Sequence, residues 1–318
     1  MKEKTGLWVQ TPPAIFPPIL GLFGLGLSWR QATMVFSVPA AIGEVILGGV
    51  TLLFLFAVFA YFAKIIRRPG AMLDDLRIMP GRAGVFAASM AAMLFATTLM
   101  PYSSCLAAGV LLSCIVVHAL NSGLVIKELS KVDIAARRIN PVWHLTFVGY
   151  IVAPLAMVPL GWITFSEIIF VLTLPMAITI WAGHAFMLVR TGIPAPLRPL
   201  LVIHLAPVCL FGITSVLLGF TQLAFLFAWI AFFGILVLLI RVRYLIAAGF
   251  SPQWSAFTLP IAAFSNLMML LAVYGGPYRY LGGIALVAGT IIIPVISYKI
   301  MKMWASGTLG PKTNASRI

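Results

Sequence analysis

Residues Trp254 to Phe264 read WSAFTLPIAAF. The stretch lies inside a run apolar enough to cross a bilayer, yet it carries a proline at position 260. Proline removes a backbone donor and pushes the carbonyl four residues back out of the helix. Hydrocarbon offers no substitute for that bond, so broken backbone at membrane depth persists only against protein or a water-filled cavity. Which of these Pro260 faces, and what Phe257 and Leu259 do beside it, decides how the surrounding helices are arranged.

The rest of the chain fixes the setting. Of 318 residues, 62% are hydrophobic and 9% charged, whereas soluble domains carry roughly a quarter charged residues. The composition is that of an all-α polytopic membrane protein. A net charge of +14 in a soluble protein would point to nucleic acid. Here the basic residues lie between apolar runs, where they set orientation and meet anionic lipid, so lipid and not nucleic acid is the expected partner. The N-terminal MKEKTGLWVQTPPAIFPP has lysines but no clean apolar region ahead of a small-residue cleavage site, which predicts that the first apolar run stays as a span.

Apolar runs of near twenty residues mark spans. Ten are predicted, at about 12–29, 38–63, 83–100, 103–126, 142–160, 164–189, 199–219, 221–240, 255–274 and 279–298. The division near Thr221 is the weakest, because only a short turn separates two long runs. With the N-terminus inside, 19 of the 21 Lys and Arg residues fall in inside segments, and only Arg30 and Arg279 fall outside. This distribution obeys the positive-inside rule at every connection and places both termini in the cytoplasm. The chain therefore reads as five helical hairpins closed on the outside. Residues 1–306 form one transmembrane domain, and 307–318 (GTLGPKTNASRI) read as a short disordered cytoplasmic tail.

Catalytic patterns are missing. There is no Walker A, HExxH or paired CxxC motif, so no enzyme, cofactor or metal is expected. Asp74-Asp75, the only acidic pair, reads as a solvated loop, and Cys105, Cys114 and Cys209 as small core residues. Glu44 and Glu167 lie near span ends; an acid in the first turn of a helix is favoured by the macrodipole. The functional alternative makes Glu167 a proton-coupling carboxylate. His118, His144, His184 and His204 all fall in the inner half of their spans, where they could form a proton relay or a metal site. No pair has the i, i+4 spacing of a helical metal site, and lone histidines in spans usually satisfy a carbonyl. His204 stands out because it lies three residues before Pro207 in HLAP. The prolines favour odd-numbered spans: Pro12, Pro13, Pro17 and Pro18 in the first, Pro154 in the fifth, Pro207 in the seventh, Pro260 in the ninth. Pro175 and Pro294 lie in even spans, and the third has no central proline. Broken helices suit a cavity wall, so odd spans are expected inside and even spans outside.

Three stretches resemble the tellurite-resistance and dicarboxylate transporter family, which includes the bacterial tellurite-resistance channel homologue and plant guard-cell slow anion channels. PPAIFPPILGLFGLGLSW is similar to the family's first span, with Phe16, Leu20-Gly21-Leu22, Leu25, Leu27 and Trp29 in matching places. Leu205-Ala206-Pro207 resembles the LAP of its seventh span, and WSAFTLP resembles a ninth-span W-A-[FY]-[ST]-F-[GP] signature. The resemblance implies five hairpins around a quasi-five-fold axis, with odd spans lining one pore per subunit, commonly in a trimer. It also implies anion conduction plugged at mid-membrane by a ninth-span phenylalanine. Here Leu259 takes the plug position, with Phe257 the alternative if the alignment shifts by one. Pro17, Pro154, Pro207 and Pro260 would kink the pore helices. The implied function is passive conduction of small anions of the chloride, nitrate or dicarboxylate class in a bacterial inner membrane. The alternative is a proton-coupled transporter of dicarboxylates or tellurite-related compounds, which would need Glu167 or His204 on the path.

Overall fold

The computed structural model describes residues 11–133, 138–190 and 192–315. The apolar runs close their backbone bonds within helices, which leave no amide unsatisfied in hydrocarbon. In chain order these are α1 (Phe16–Phe36), α2 (Ala40–Arg67), α3 (Gly70–Arg77), α4 (Met79–Leu99) and α5 (Ser104–Ser130). They continue with α6 (Pro154–Met157), α7 (Ile163–Arg190), α8 (Leu205–Leu217), α9 (Thr221–Ile240) and α10 (Val242–Leu245). The last three are α11 (Thr258–Leu271), α12 (Tyr278–Ala305) and α13 (Leu309–Lys312). Counting 3₁₀ lead-ins with their α segments, nine helices among the described residues are long and apolar enough to cross a membrane. The doubtful division near Thr221 is real: Gly219 takes φ +77°, a left-handed conformation that glycine adopts without a Cβ clash, and separates α8 from α9.

Burial sorts these nine into two sets. Pro13–Phe36, Met79–Leu99, Ala195–Leu217 and Pro252–Tyr274 bury 56, 61, 72 and 67% of their most apolar window. For α2, α5, α7, α9 and α12 the shares are 33, 28, 28, 22 and 39%. No value falls between the sets, so inner and outer helices are distinct, and once the buried 144–157 segment is set between α5 and α7 they alternate along the chain as the prolines predict.

The fifth predicted span departs from a regular helix. It is a π turn (His144–Val148), a 3₁₀ segment (Gly149–Val152) and the short α6. Gly149 lets this backbone approach His118, since a Cβ there would lie 2.8 Å from the imidazole Cε1. Pro154 follows, and with no N–H it cannot continue the hydrogen-bond ladder of the turns before it. The segment is nonetheless buried along most of its length.

Inner segments meet in sequence order. Helix α1 packs on α4, α4 on the 144–157 segment, that segment on α8, α8 on α11, and α11 on α1. Each outer helix packs on the inner one before it. Small residues allow the closest approach, between α1 and α11. A Cβ on Gly21 would lie 2.2 Å from Thr258 Cβ. Ser28 Oγ donates to the Ala262 carbonyl at 3.0 Å, and Thr258 Oγ1 donates to the Pro17 carbonyl at 3.3 Å. Without a hydrophobic force between helices in lipid, such close packing and interhelical bonds hold them together.

Three expectations are corrected. Asp75 is not solvated: it is fully buried, accepting from Lys64 Nζ at 2.8 Å and from the Tyr61 hydroxyl at 3.1 Å. Its neighbour Asp74 pairs with Arg68 and Arg77. The reason is α3, which folds the loop back beneath α2. Residues 307–315 of the tail are ordered, with Leu309 fully buried and Thr313 nearly so. Of the cysteines, Cys209 is buried, but Cys105 is exposed on an outer helix.

Candidate functional site: a cavity between the inner segments

Four inner segments share one construction. A non-α stretch precedes α1 (Pro13–Ile15), α6, α8 (Ala195–His204) and α11 (Pro252–Phe257), and a proline sits in the first turn of each α segment that follows. A first-turn residue has no intrahelical partner for its amide, so proline is tolerated there. Pro17, Pro154, Pro207 and Pro260 therefore each stand in the first turn after a non-α stretch gives way to an α segment. Helix α4, which lacks a central proline, is the inner element that runs unbroken. The stretch before α8 is a ten-residue 3₁₀ helix, well beyond the usual three or four residues, and such runs mark hinges or strain.

The segments enclose a narrow cavity of about 60 Å³. All five contribute to its wall: Pro17 and Leu20, Ala83 and Met90, His144 to Ile151, Leu200 to Leu210, and Ser255 to Pro260. None of the lining side chains carries a fixed charge, and His144 and Ser255 are the polar ones. Pro17, Ala206 and Leu259 hold the second position of α1, α8 and α11, and all three line the cavity. Leucine is the bulkiest side chain at that level.

A second cavity, about 290 Å³, adjoins the first through Pro17, Ala83, Leu200 and Ser255. Around it stand the beginnings of all five inner segments, at Ala14, Met79, Val142, Leu197 and Pro252, together with Lys312, Thr313 and Asn314 of the tail. This vestibule has the tail against its wall and one basic side chain, Lys312, in its lining.

The residues singled out in the sequence separate clearly. Leu259, Pro17, Pro207 and Pro260 line the central cavity. Phe257 instead lines an apolar groove between α9, α11 and α12 and packs on Trp254, ring centroids 5.8 Å apart. Pro154 is buried but away from the cavity wall. Glu167 is the fifth residue of the outer helix α7, just past the first turn where the sequence places it; it is half-buried and lines none of these cavities. Glu44 sits near its expected place at the Arg30 end, where Arg30 donates to both its oxygens at 2.8 and 2.9 Å and Tyr102 at 2.6 Å.

The histidines behave as one isolated residue and one group. His118 is fully buried, 2.7 Å from Ser89 Oγ and 3.3 Å from the Thr146 carbonyl. The other three bond to one another. His144 Nε2 lies 2.9 Å from His204 Nδ1, and His204 Nε2 lies 2.7 Å from His184 Nδ1. The middle ring spends both nitrogens on its neighbours, so the three do not converge on a common metal position, and no metal-holding group of His, Cys, Asp or Glu occurs among the described residues. Their shared depth was legible in the sequence, but their pairing was not, because they stand on three separate segments.

A bundle of apolar helices around a cavity with no charged side chain in its wall is an architecture suited to passing or carrying small solutes across a membrane. A family model described as voltage-dependent anion channel matches residues 10–301, nearly the whole chain. The protein belongs to that family, within the tellurite-resistance and dicarboxylate transporter superfamily. No curated protein matches the chain.

Proposed function

We propose that the protein is a passive pore for small anions of the chloride, nitrate or dicarboxylate class, with the path through the central cavity and its constriction at Leu259. The observation that carries this reading is a cavity wall drawn from all five inner segments with no charged side chain in it. Tight binding of a charged substrate needs fixed countercharges. Conduction needs weak binding, and an apolar constriction holds a pore shut by steric blocking and dewetting. The net charge of +14 favours anions in the surrounding field.

The vestibule supports ten crossings. Val142 and Leu197 stand at the same mouth, so the chain between them must go out and come back. Helix α7 is long enough for one crossing, and the 144–157 segment supplies the other. The proposed architecture is five inner–outer hairpins around a quasi-five-fold axis, three such subunits forming a trimer. Both termini then lie in the cytoplasm of a bacterial cell, with the protein in the inner membrane and without enzymatic activity.

A proton-coupled transporter is the second reading, favoured by His144 on the cavity wall. Planar bilayers with purified protein separate the two. For the pore, chloride, nitrate or malate current reverses where the anion gradient dictates, and a pH gradient alone drives no anion current. Anion current driven by the pH gradient alone would replace the pore with the transporter.

A further inference from the structure

His144 lines the central cavity, among Leu145, Ile203 and Leu259. His184 lines a different cavity of about 150 Å³, bounded by Arg138, Asn140 and Pro194 near the beginnings of the inner segments. The two cavities share Leu200 alone in their walls. Between them run the two ring-to-ring hydrogen bonds of the His144–His204–His184 chain. We propose that these three histidines form a proton relay from the central cavity to the cavity at Arg138, beside the anion path; the Arg138 cavity meets the vestibule wall at Met79, Leu197 and Leu200. The proposal takes from the preceding section that the central cavity holds water continuous with the outer face, because the Arg138 cavity and the vestibule both lie at the beginnings of the inner segments.

The chemistry follows from the pattern of bonds. A neutral imidazole carries one N–H and one lone pair. In one polarity of the chain, His144 Nε2–H donates to His204 Nδ1 and His204 Nε2–H donates to His184 Nδ1. His144 Nδ1 is then an acceptor, and it is buried with no hydrogen-bond partner among the described residues. A turn of the His144 ring brings Nδ1, which is shut off from water in this structure, to the cavity surface; a hydronium there gives it a proton, and His144 passes its Nε2 proton to His204 Nδ1. His204 then passes its Nε2 proton to His184 Nδ1, and His184 releases its Nε2 proton into the far cavity. One proton enters, one leaves, and each ring ends neutral with its tautomer reversed; rotation of the rings resets the chain. Intramembrane histidines in series suit such a role. His144 sits at the start of the π turn, a geometry frequent at functional sites.

Nearby groups leave the relay intact. Trp181 Nε1 donates to the His204 carbonyl at 3.2 Å, holding that backbone without touching the ring nitrogens. Arg190 lies over the Phe186 ring at 4.1 Å, and Arg198 lies over Tyr244 at 4.0 Å. Arg138 is the charged side chain facing the exit, where it disfavours a proton lingering on His184.

The test is proton flux into vesicles containing the full chain, pyranine and potassium sulfate, driven by a potassium diffusion potential with valinomycin. Chloride flux is measured in parallel on the same preparation. Wild-type vesicles should change internal pH faster than protein-free vesicles. His204→Gln, which fills the same space but cannot pass a proton, should fall to the protein-free rate. His144→Gln and His184→Gln should do the same, so the result does not depend on one variant folding. His118→Gln, outside the chain, should keep the wild-type rate. A wild-type rate equal to protein-free vesicles, or wild-type rates in all three chain variants, overturns the relay. If chloride flux persists in that case, the pore reading stands alone. If chloride flux is absent while proton flux depends on His204, the pore reading fails and the relay stands.

Discussion

Lys64 and Asp75 are both fully inaccessible, 2.8 Å apart, and Lys64 Nζ also donates to the Thr11 carbonyl at 3.3 Å. Removing one partner of a buried pair leaves an uncompensated charge, at a cost of about 3–5 kcal/mol. Lys64→Met should therefore lower unfolding stability in detergent by that amount, and adding Asp75→Leu should restore most of it. A loss under about 1 kcal/mol would be the mark of a solvated pair instead. The sequence hides this pair because the partners are 11 residues apart across the end of α2, and the local pattern around Asp75 is that of a charged loop. The choice between Leu259 and Phe257 was hidden for a related reason. Residues two apart point about 200° away from each other on a helix, so spacing says that only one faces inward. Which one is decided by Thr258 packing on Gly21, a contact far away in sequence.

At the scale of elements, hydropathy and prolines carried most of what the chain builds. Apolar length marked the spans because a helix is forced on them by lipid, and the proline bias picked the inner set because first-turn prolines follow non-α lead-ins. What they could not show is the form of the break. Pro154, Pro207 and Pro260 mark where the backbone changes form, but the sequence does not show that a 3₁₀ stretch precedes each of them. The α1–α11 seam gives a direct test. Gly21→Ala places a methyl where Thr258 already stands, and overpacking of this kind costs about 1–3 kcal/mol. Gly48→Ala on α2 meets nothing within 4 Å and should be neutral or raise stability by up to about 1 kcal/mol through helix propensity. Thermal unfolding of the two variants checks the pair. Equal behaviour would mean that the seam is loose.

For the molecule as a whole, the lopsided distribution of Lys and Arg and the alternating burial agree on one arrangement. Inner segments begin at a common mouth and outer helices surround them. Closure of α11 on α1 was not legible, since it joins segments some 240 residues apart through glycine, serine and threonine, whose residue types carry no pairing code. The central claim is that the enclosed cavity is the anion path and that Leu259 sets its width. Truncating a leucine in a packed core costs about 2–5 kcal/mol; on a cavity wall it should cost far less and open the path. The decisive measurement is macroscopic anion current in planar bilayers, normalised to folded protein, for Leu259→Ala, Leu259→Phe and Phe257→Ala. The account predicts that Leu259→Ala raises the current several-fold, Leu259→Phe lowers it, and Phe257→Ala leaves it at the wild-type level. Current raised by Phe257→Ala and unmoved by either substitution at Leu259 would contradict it.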